Sequence, residues 1–247
     1  MSQTLSTLYV GPLEDFAPPL VSPTPGPLAL PATELQNPNY LQPLLTRFGA
    51  QYGPEADLKA VASLWSKWHF STLITTALAP NLLLGRDLPV GLKELHVTQS
   101  ADGKTTGFTL VHAGQPLSDQ DDFSRFKSLI DQHLSPLIST LASVSGASAK
   151  VFWSNAGNYL EFFTSAIQAH PLAVPTTNQP AQRLLESRSR PDGQRNPLYL
   201  PVRYIEAEDA ADPKRIRRLC CLRYLIDELG YCGNCPVACR RHSEKKG

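Results

Sequence analysis

Residues 220–235 have the sequence CCLRYLIDELGYCGNC, and this stretch decides how the 247-residue chain is organised. It contains four of the five cysteines, the fifth is Cys239, and the residues before Cys220 contain none. Cysteines that stabilise a fold through disulfides are spread along a chain, because each bridge joins distant segments. Thiols confined to the last 28 residues indicate instead one site that holds one inorganic group, and we expect an iron–sulfur cluster.

The spacing of the cysteines bears on which metal they hold. Cys232-x2-Cys235 is a chelating pair, because its two-residue turn lets both sulfurs face one ion. Cys220 and Cys221 are adjacent, and neighbouring side chains diverge by about 100° in a helix and point to opposite faces in a strand. Such neighbours fit poorly around one tetrahedral zinc but can reach the two metals of a [2Fe–2S] cluster. Zinc and disulfides stay open as alternatives, and zinc would make the chain a non-enzymatic binding module.

The overall composition is that of an ordinary globular protein and excludes several classes. The chain is 42% hydrophobic and 18% charged with a net charge of +1, which gives no indication of a nucleic-acid partner. No basic region precedes an apolar run at the start, so we predict no signal peptide. The most apolar segment, Leu73–Leu84, is too short to span a bilayer. Thiols without an export signal indicate the reducing cytoplasm.

Positive charge is concentrated around the cysteines. Residues 183–247 carry 14 Lys or Arg against 9 Asp or Glu, whereas the remainder carries 9 against 13. This charge either offsets an anionic cluster and attracts an acidic electron donor, or forms a solvated edge. We expect Arg218 and Arg223 to stabilise the reduced cluster.

Hydrophobic periodicity predicts helices and antiparallel strands in separate runs, which is typical of an α+β fold. The long helices and strands pack around one core, with a C-terminal cysteine-rich segment. No Gly-rich turn between a strand and a helix is present, so we expect neither a dinucleotide-binding fingerprint nor a P-loop. The predicted helices are Ala56–Ala79, Asp121–Ala142 (bent near Pro136), Ala156–Ala169 and Ala181–Ser187, and the predicted strands are Leu92–Val97, Thr105–His112, Lys150–Trp153, Leu198–Ile205 and Arg215–Leu219.

Three segments are predicted along the chain. Residues 1–45 contain eight prolines before Tyr40 and are expected to wrap the surface in extended form. Residues 46–205 are expected to form the substrate-binding α+β core. Residues 206–247 are expected to form an iron–sulfur segment packed on that core.

The cysteine pattern resembles a known family. Cys-Cys-x10-Cys-x2-Cys near the C-terminus is similar to the signature of the FhuF-type ferric-siderophore reductases. The run Arg217-Arg218-Leu219-Cys220-Cys221-Leu222-Arg223-Tyr224 looks like that family's approach to its paired cysteines. Lys150-Val151-Phe152-Trp153-Ser154-Asn155-Ala156-Gly157 resembles its Trp-Ser-Asn-x-Gly element, and Leu64-Trp65-Ser66-Lys67-Trp68 resembles its early Trp-containing helix. Asn196-Pro197-Leu198 resembles the start of its last strand pair.

The resemblance implies a [2Fe–2S] cluster held by Cys220, Cys221, Cys232 and Cys235. It implies one-electron reduction of Fe(III) in a siderophore, often of hydroxamate type, with release of Fe(II) for iron assimilation. The implied partners are a ferric siderophore and an external electron donor such as a ferredoxin, with peripheral association at the inner membrane. The reductase fold also resembles a domain of siderophore synthetases, but the sequence has no nucleotide-binding signature.

Four other residues are candidates for siderophore contact. Trp68 could provide an aromatic wall for apolar linkers of the chelate, and Arg223 could bind an anionic chelate. Trp153 and Asn155 could line the same pocket, although a cap of the following helix is an alternative role for Asn155. No catalytic triad is predicted.

Cys239 departs from the family pattern. It creates Cys232-x2-Cys235-x3-Cys239, which resembles part of the ligand run of four-iron ferredoxins. A [4Fe–4S] cluster is therefore an alternative, and otherwise Cys239 is a thiol outside the ligand set.

Overall fold

The structure of the protein is a computed structural model that describes residues 5–118, 121–206 and 213–239. The helices are α1 (Pro38–Gly49), α2 (Leu58–Leu84), α3 (Asp122–Arg125), α4 (Lys127–Leu129), α5 (Ser135–Ser145), α6 (Ala149–Ala166) and α7 (Gln179–Glu186). The strands are β1 (Leu20–Val21), β2 (Ala29–Pro31), β3 (Arg86–Asp87), β4 (Leu95–Gln99), β5 (Thr105–Leu110), β6 (Gln115–Pro116), β7 (Val202–Ile205) and β8 (Lys214–Arg217). This mixture of helices and mainly antiparallel strands confirms the predicted α+β class.

Helix α2 is the central element of the core. The carboxylate of Asp57 accepts hydrogen bonds from the backbone N–H groups of Lys59 and Ala60, which fixes where the helix begins. The helix ends at Gly85, whose φ of 58° is unfavourable for residues with a side chain. Nearly every residue from Ala60 to Leu82 is buried, so α2 is covered on most of its circumference. It matches the predicted helix Ala56–Ala79 and extends it through Pro80.

Helices α3, α4 and α5 occupy the predicted second long helix. The chain departs from regular α-helix at Phe126 and forms a π-helical turn over Ile130–Leu134 before continuing into α5. The interruption expected near Pro136 is therefore present, and it lies just before that proline. Pro136 itself occupies the first turn of α5, where a missing N–H costs little.

The predicted strand at Lys150–Trp153 is wrong, because these residues form the first turns of α6. The hydroxyl of Ser148 caps the helix by accepting from the Lys150 N–H at 3.3 Å. Phe152, Ala156, Leu160 and Phe163 are buried at helical spacing. Burial of this face outweighs the β-propensity of the Val-Phe-Trp run.

The proline-rich N-terminal segment contributes two strands to the four-stranded sheet. Its strand order is β1-β5-β4-β2, with the predicted β4–β5 hairpin at the centre and the two N-terminal strands outside. Leu8, Leu13 and Leu35 are buried in the core. The expectation that residues 1–45 wrap the surface in extended form is wrong for part of the described chain, because these leucines are buried and residues 38–45 belong to α1. The division into three segments stays a prediction.

The last strand pair and the short helix before it are confirmed. β7 and β8 are antiparallel, with Val202 opposite Arg217, and α7 overlaps the predicted helix Ala181–Ser187 but begins two residues earlier. Residues 207–212 between the two strands and residues 240–247, including Arg240-Arg241, lie outside the described part of the chain. Strand β8 leads directly into the cysteines and positions them against α2 and α6.

Candidate iron–sulfur site

The four predicted ligand cysteines lie together as two pairs. The Sγ atoms of Cys221 and Cys232 are 3.6 Å apart. The thiols of Cys220 and Cys235 also interact with each other. The backbone N–H of Arg217 donates to the carbonyl of Asn234 at 3.0 Å, which brings the Cys232–Cys235 turn back beside β8. Each pair therefore combines one cysteine from each motif.

This arrangement fits the ligands of a two-metal cluster. Two thiolates on one tetrahedral metal, with bonds of about 2.3 Å, have their sulfurs roughly 3.8 Å apart. The 3.6 Å separation of Cys221 and Cys232 is close to this value. Within the described ranges, no three His, Cys, Asp or Glu side chains are grouped around one metal position.

Backbone geometry explains how adjacent cysteines can serve one site. Leu222 has a φ of 58°, a left-handed conformation that is unusual for a residue with a branched side chain. The turn directs the N–H of Leu222 to the Cys220 sulfur at 3.4 Å and that of Arg223 to the Cys221 sulfur. Such N–H groups stabilise thiolates and bound clusters. Neither cysteine belongs to a regular helix or strand, so the divergence expected in such elements does not apply.

Asn155 connects α6, α2 and β8 behind the cysteines. Its side-chain amide donates to the hydroxyls of Ser63 and Ser66, both at 2.9 Å, and to the Ser63 carbonyl at 3.0 Å. Its carbonyl oxygen accepts from the guanidinium of Arg217. Asn155 is fully buried in the second turn of α6, so neither the predicted siderophore contact nor a helix cap fits this side chain. Its role is to position the site.

The network continues from the serines to the cysteine backbone. The Ser63 hydroxyl donates to the carbonyl of Cys221 at 2.7 Å, and the Ser154 hydroxyl donates to the carbonyl of Leu219 at 3.4 Å. The paired cysteines are thus attached on both sides of Cys220. Helices α2 and α6 hold the backbone of this segment, independently of any bound group.

Gly157, the last residue of the Trp-Ser-Asn-x-Gly element, allows α6 to pack closely against the β7–β8 pair. A Cβ at this position would lie 2.7 Å from the Cβ of Pro201, the residue before β7. Only glycine allows α6 to approach the strand pair this closely. Ser154, Asn155 and Gly157 therefore each fix the position of β7, β8 or the cysteine segment relative to α6.

A second set of contacts holds the Cys232–Cys235 turn. The Asn234 amide donates to the Asn158 side chain at 2.9 Å, and Asn158 also accepts from Arg215 at 3.0 Å. Arg215 forms a salt bridge with Glu161, one turn further along α6. Asn158 and Glu161 lie on the same face of α6, so one helix positions both β8 and the turn.

The electrostatic environment of the two cysteine pairs is unequal. The hydrogen bond with the Cys232 thiol, together with nearby Lys67 and Arg217, lowers the pKa of Cys221. Burial raises the pKa of Cys220. The Lys67 ammonium nitrogen lies 3.9 Å from the Cys221 sulfur. We expected Arg218 and Arg223 to provide the positive charge, but Arg218 is exposed, and Lys67 and Arg217 act on both Cys221 and Cys232.

The other predicted contact residues lie in different environments. Trp68 is 50% exposed, and the Lys104 ammonium lies over its ring at 5.3 Å. Lys104 and Arg223 both oppose the rise in the pKa of Tyr52 that burial causes, so they share one side of the molecule. Trp153 is half-buried and packs against the core. Siderophore contact by Trp68, Trp153 and Arg223 stays a prediction.

Comparison with known proteins identifies the family. Residues 63–212 match the family described as ferric iron reductase FhuF-like transporter, and residues 217–236 match the FhuF 2Fe-2S C-terminal domain. The chain belongs to the FhuF family. Its cofactor is a [2Fe–2S] cluster, and the protein is an iron–sulfur reductase. The FhuF assignment favours the two-iron cluster over zinc, disulfides and the four-iron alternative.

A curated relative is consistent with this assignment. The ferric siderophore reductase of Escherichia coli (strain K12) is 23% identical over 220 residues, which cover 86% of this chain and 81% of the relative. The FhuF match begins at Ser63, and Ser63 itself contacts Cys221. No helix in the described ranges has the length and apolar character needed to cross a membrane.

Sequence reasoning missed three residues of the site. Ser63, Ser66 and Lys67 are more than 150 positions from Cys221, and none is a metal ligand by residue type. The Leu64–Trp68 motif contains Ser66 and Lys67, but its resemblance to the family rests on its tryptophans. The available signal was the run of small polar residues on an otherwise apolar helix, since Ser63 and Ser66 interrupt a buried face.

Proposed function

We propose that this FhuF-family protein reduces Fe(III) bound to a siderophore, of the hydroxamate class, and releases it as Fe(II). Cys220, Cys221, Cys232 and Cys235 would hold the [2Fe–2S] cluster. The cluster supplies one-electron transfer when bound. The single observation that carries the proposal is the pairing of Cys221 with Cys232 and of Cys220 with Cys235, because four thiols in two pairs suit a two-iron redox centre.

The chemistry requires binding and orientation more than acid or base catalysis. Hard oxygen donors hold Fe(III) far more tightly than Fe(II), so a gain of one electron loosens the chelate and frees the metal. The iron is substrate, and the electron comes from an external donor such as a ferredoxin. The protein must bring the chelate close to the cysteine segment and hold that segment in place, which α2 and α6 do through Ser63 and Ser154.

Exposed apolar and basic groups support a docking face next to the cysteines. Leu219, Leu225 and Tyr231 are exposed within the cysteine segment, and the rings of Tyr224 and Tyr231 lie 5.6 Å apart. Trp68 is exposed next to Lys67, whose ammonium reaches Cys221. Apolar surface with nearby positive charge suits an organic chelate that carries anionic oxygen donors. We place Fe(III)-hydroxamate binding there, with the protein in the cytoplasm or peripheral at the inner membrane.

The test compares two cysteine variants in protein purified without oxygen. Cys232→Ser is expected to lose iron, the visible absorption and ferric-hydroxamate reduction together, measured with a chelator that traps Fe(II). Cys239→Ser is the control, because Cys239 lies outside the two pairs, and it is expected to keep both the cluster and the activity. Electron paramagnetic resonance of the dithionite-reduced protein, with iron and sulfide quantitation, identifies the cluster type.

Three results would contradict the proposal. One is zinc in place of iron in the parent protein. Another is full ferric-hydroxamate reduction by cluster-free Cys232→Ser. Loss of the cluster in Cys239→Ser would instead favour the ligand run that includes Cys239.

A further inference from the structure

Two cations lie against the Cys221–Cys232 pair without a carboxylate partner. Lys67 is half-buried on α2 with its ammonium nitrogen 3.9 Å from the Cys221 sulfur. Arg217 is 1% exposed at the end of β8. Within the described part of the chain neither side chain has an Asp or Glu oxygen within 4.0 Å.

The contacts of Arg217 show that its charge is not neutralised by the protein. The guanidinium donates to the neutral side chains of Ser154, at 3.3 Å, and Asn155. Its Nε atom is buried and makes no hydrogen bond within the described ranges. Burial of a cation is costly unless an anion lies nearby, and the nearby Cys221 and Cys232 are predicted cluster ligands, which bind metal as thiolates.

The positive charge comes from two separate elements of the fold. The Lys67 ammonium lies 3.9 Å from the Cys221 sulfur, and that sulfur lies 3.6 Å from the Cys232 sulfur. Lys67 reaches the site from α2 and Arg217 from β8, so two separate elements deliver charge to one pair.

We propose that Lys67 and Arg217 are the built-in counter-charges of the cluster and raise its reduction potential. A cluster with four thiolate ligands is anionic and becomes more negative when it accepts an electron, so a nearby cation stabilises the reduced form more than the oxidised form. Partial burial keeps this interaction from being screened by salt. This inference rests on the redox role proposed above and assigns potential-setting residues to it.

The test measures the midpoint potential of the cluster-loaded protein by dye-mediated titration without siderophore. Lys67→Met removes the charge and keeps an apolar chain of similar length, so we expect the reduction equilibrium constant to fall about tenfold, a midpoint lower by about 59 mV for one electron. Lys67→Arg keeps the charge, so its reduction equilibrium constant is expected to stay within about threefold of the parent value. Arg217 also positions Asn155, so Lys67 carries the test.

Lys59→Met is the matched control. It removes the same charge from the same helix, but the Lys59 chain is exposed and lies beside Gly146 rather than the cysteines. We expect no change in potential. Equal shifts in Lys67→Met and Lys59→Met, or an unchanged potential in Lys67→Met with normal iron content, would overturn the inference. Because siderophore is absent, this outcome is independent of whether ferric siderophores are the substrate.

Discussion

Replacement of Asn155 by leucine tests the attachment of the cysteine segment to the core. Leucine has the same branching as asparagine but cannot hydrogen-bond to Ser63, Ser66 or Arg217, which Asn155 joins in a fully buried position. The bond from the Arg217 guanidinium contributes about 1.5–3 kcal/mol, and each serine bond about 1 kcal/mol. We therefore expect Asn155→Leu to lower the free energy of unfolding by about 4 kcal/mol, which is a large part of a typical total.

The assay is urea unfolding of the cluster-loaded protein under nitrogen, followed by far-ultraviolet circular dichroism and by visible absorption. The midpoint temperature of thermal unfolding of Asn155→Leu should fall by roughly 10 °C, given about 2–4 °C per kcal/mol for a chain of this size. Visible absorption should be lost at a lower urea concentration than in the parent. The cysteine backbone is held through Ser63, so loss of Asn155 loosens the site before the core unfolds.

Thr164→Val is the matched control for Asn155→Leu. Thr164 is buried on the same helix, and its hydroxyl makes no hydrogen bond within the described ranges. Its replacement is expected to change the free energy of unfolding by less than about 0.5 kcal/mol. A change below about 1 kcal/mol in Asn155→Leu, no larger than in the control, would show that the network does not stabilise the fold as argued.

Two further predictions concern the core. The buried pair His69 and His133, with Nε2 atoms 2.9 Å apart, has lowered pKa values, about 4 for His133, because burial disfavours the charged rings. The folded state therefore binds fewer protons than the unfolded state below about pH 6.5. From His133 alone, the free energy of unfolding measured with urea should be about 2 kcal/mol lower at pH 5 than at pH 7.5. The exposed His112→Gln variant should keep this pH dependence and His133→Gln should lose the part that His133 contributes, whereas equal pH dependence in all three proteins would contradict the assignment. Gly157→Ala should lower the free energy of unfolding by about 1–3 kcal/mol and reduce iron content, because the new methyl meets Pro201 at 2.7 Å. Gly107→Ala, where the added atom has open space, should behave like the parent, and a neutral Gly157→Ala would show that the helix can move away at no cost.

The sequence predicted the elements whose signals are local. Helix α2, the β4–β5 hairpin and the β7–β8 pair follow from periodicity, turn residues and strand propensity within a few neighbouring positions. The error at Lys150–Trp153 has a physical cause, since Val, Phe and Trp favour strands locally and only the packing of Phe152 and Ala156 onto the core selects the helix. Burial of the N-terminal leucines was missed because proline-rich chain without a period gives no local sign of the sheet edges it will pair with.

By itself the sequence determined the chemistry at the C-terminus, because the number of thiols, their adjacency and their two-residue spacing predict a set of cluster ligands. Nothing in the sequence around Lys67 or Asn155 indicates that these residues belong to the same site. Only the tertiary structure decided which thiols pair, that Leu222 turns left-handed to direct two N–H groups at sulfur, and that α2 and β8 bring cations to one pair. The reason is that ligand identity is a property of residue type and short spacing, whereas Lys67 is more than 150 positions from Cys221, and it meets the thiols only when the core packs.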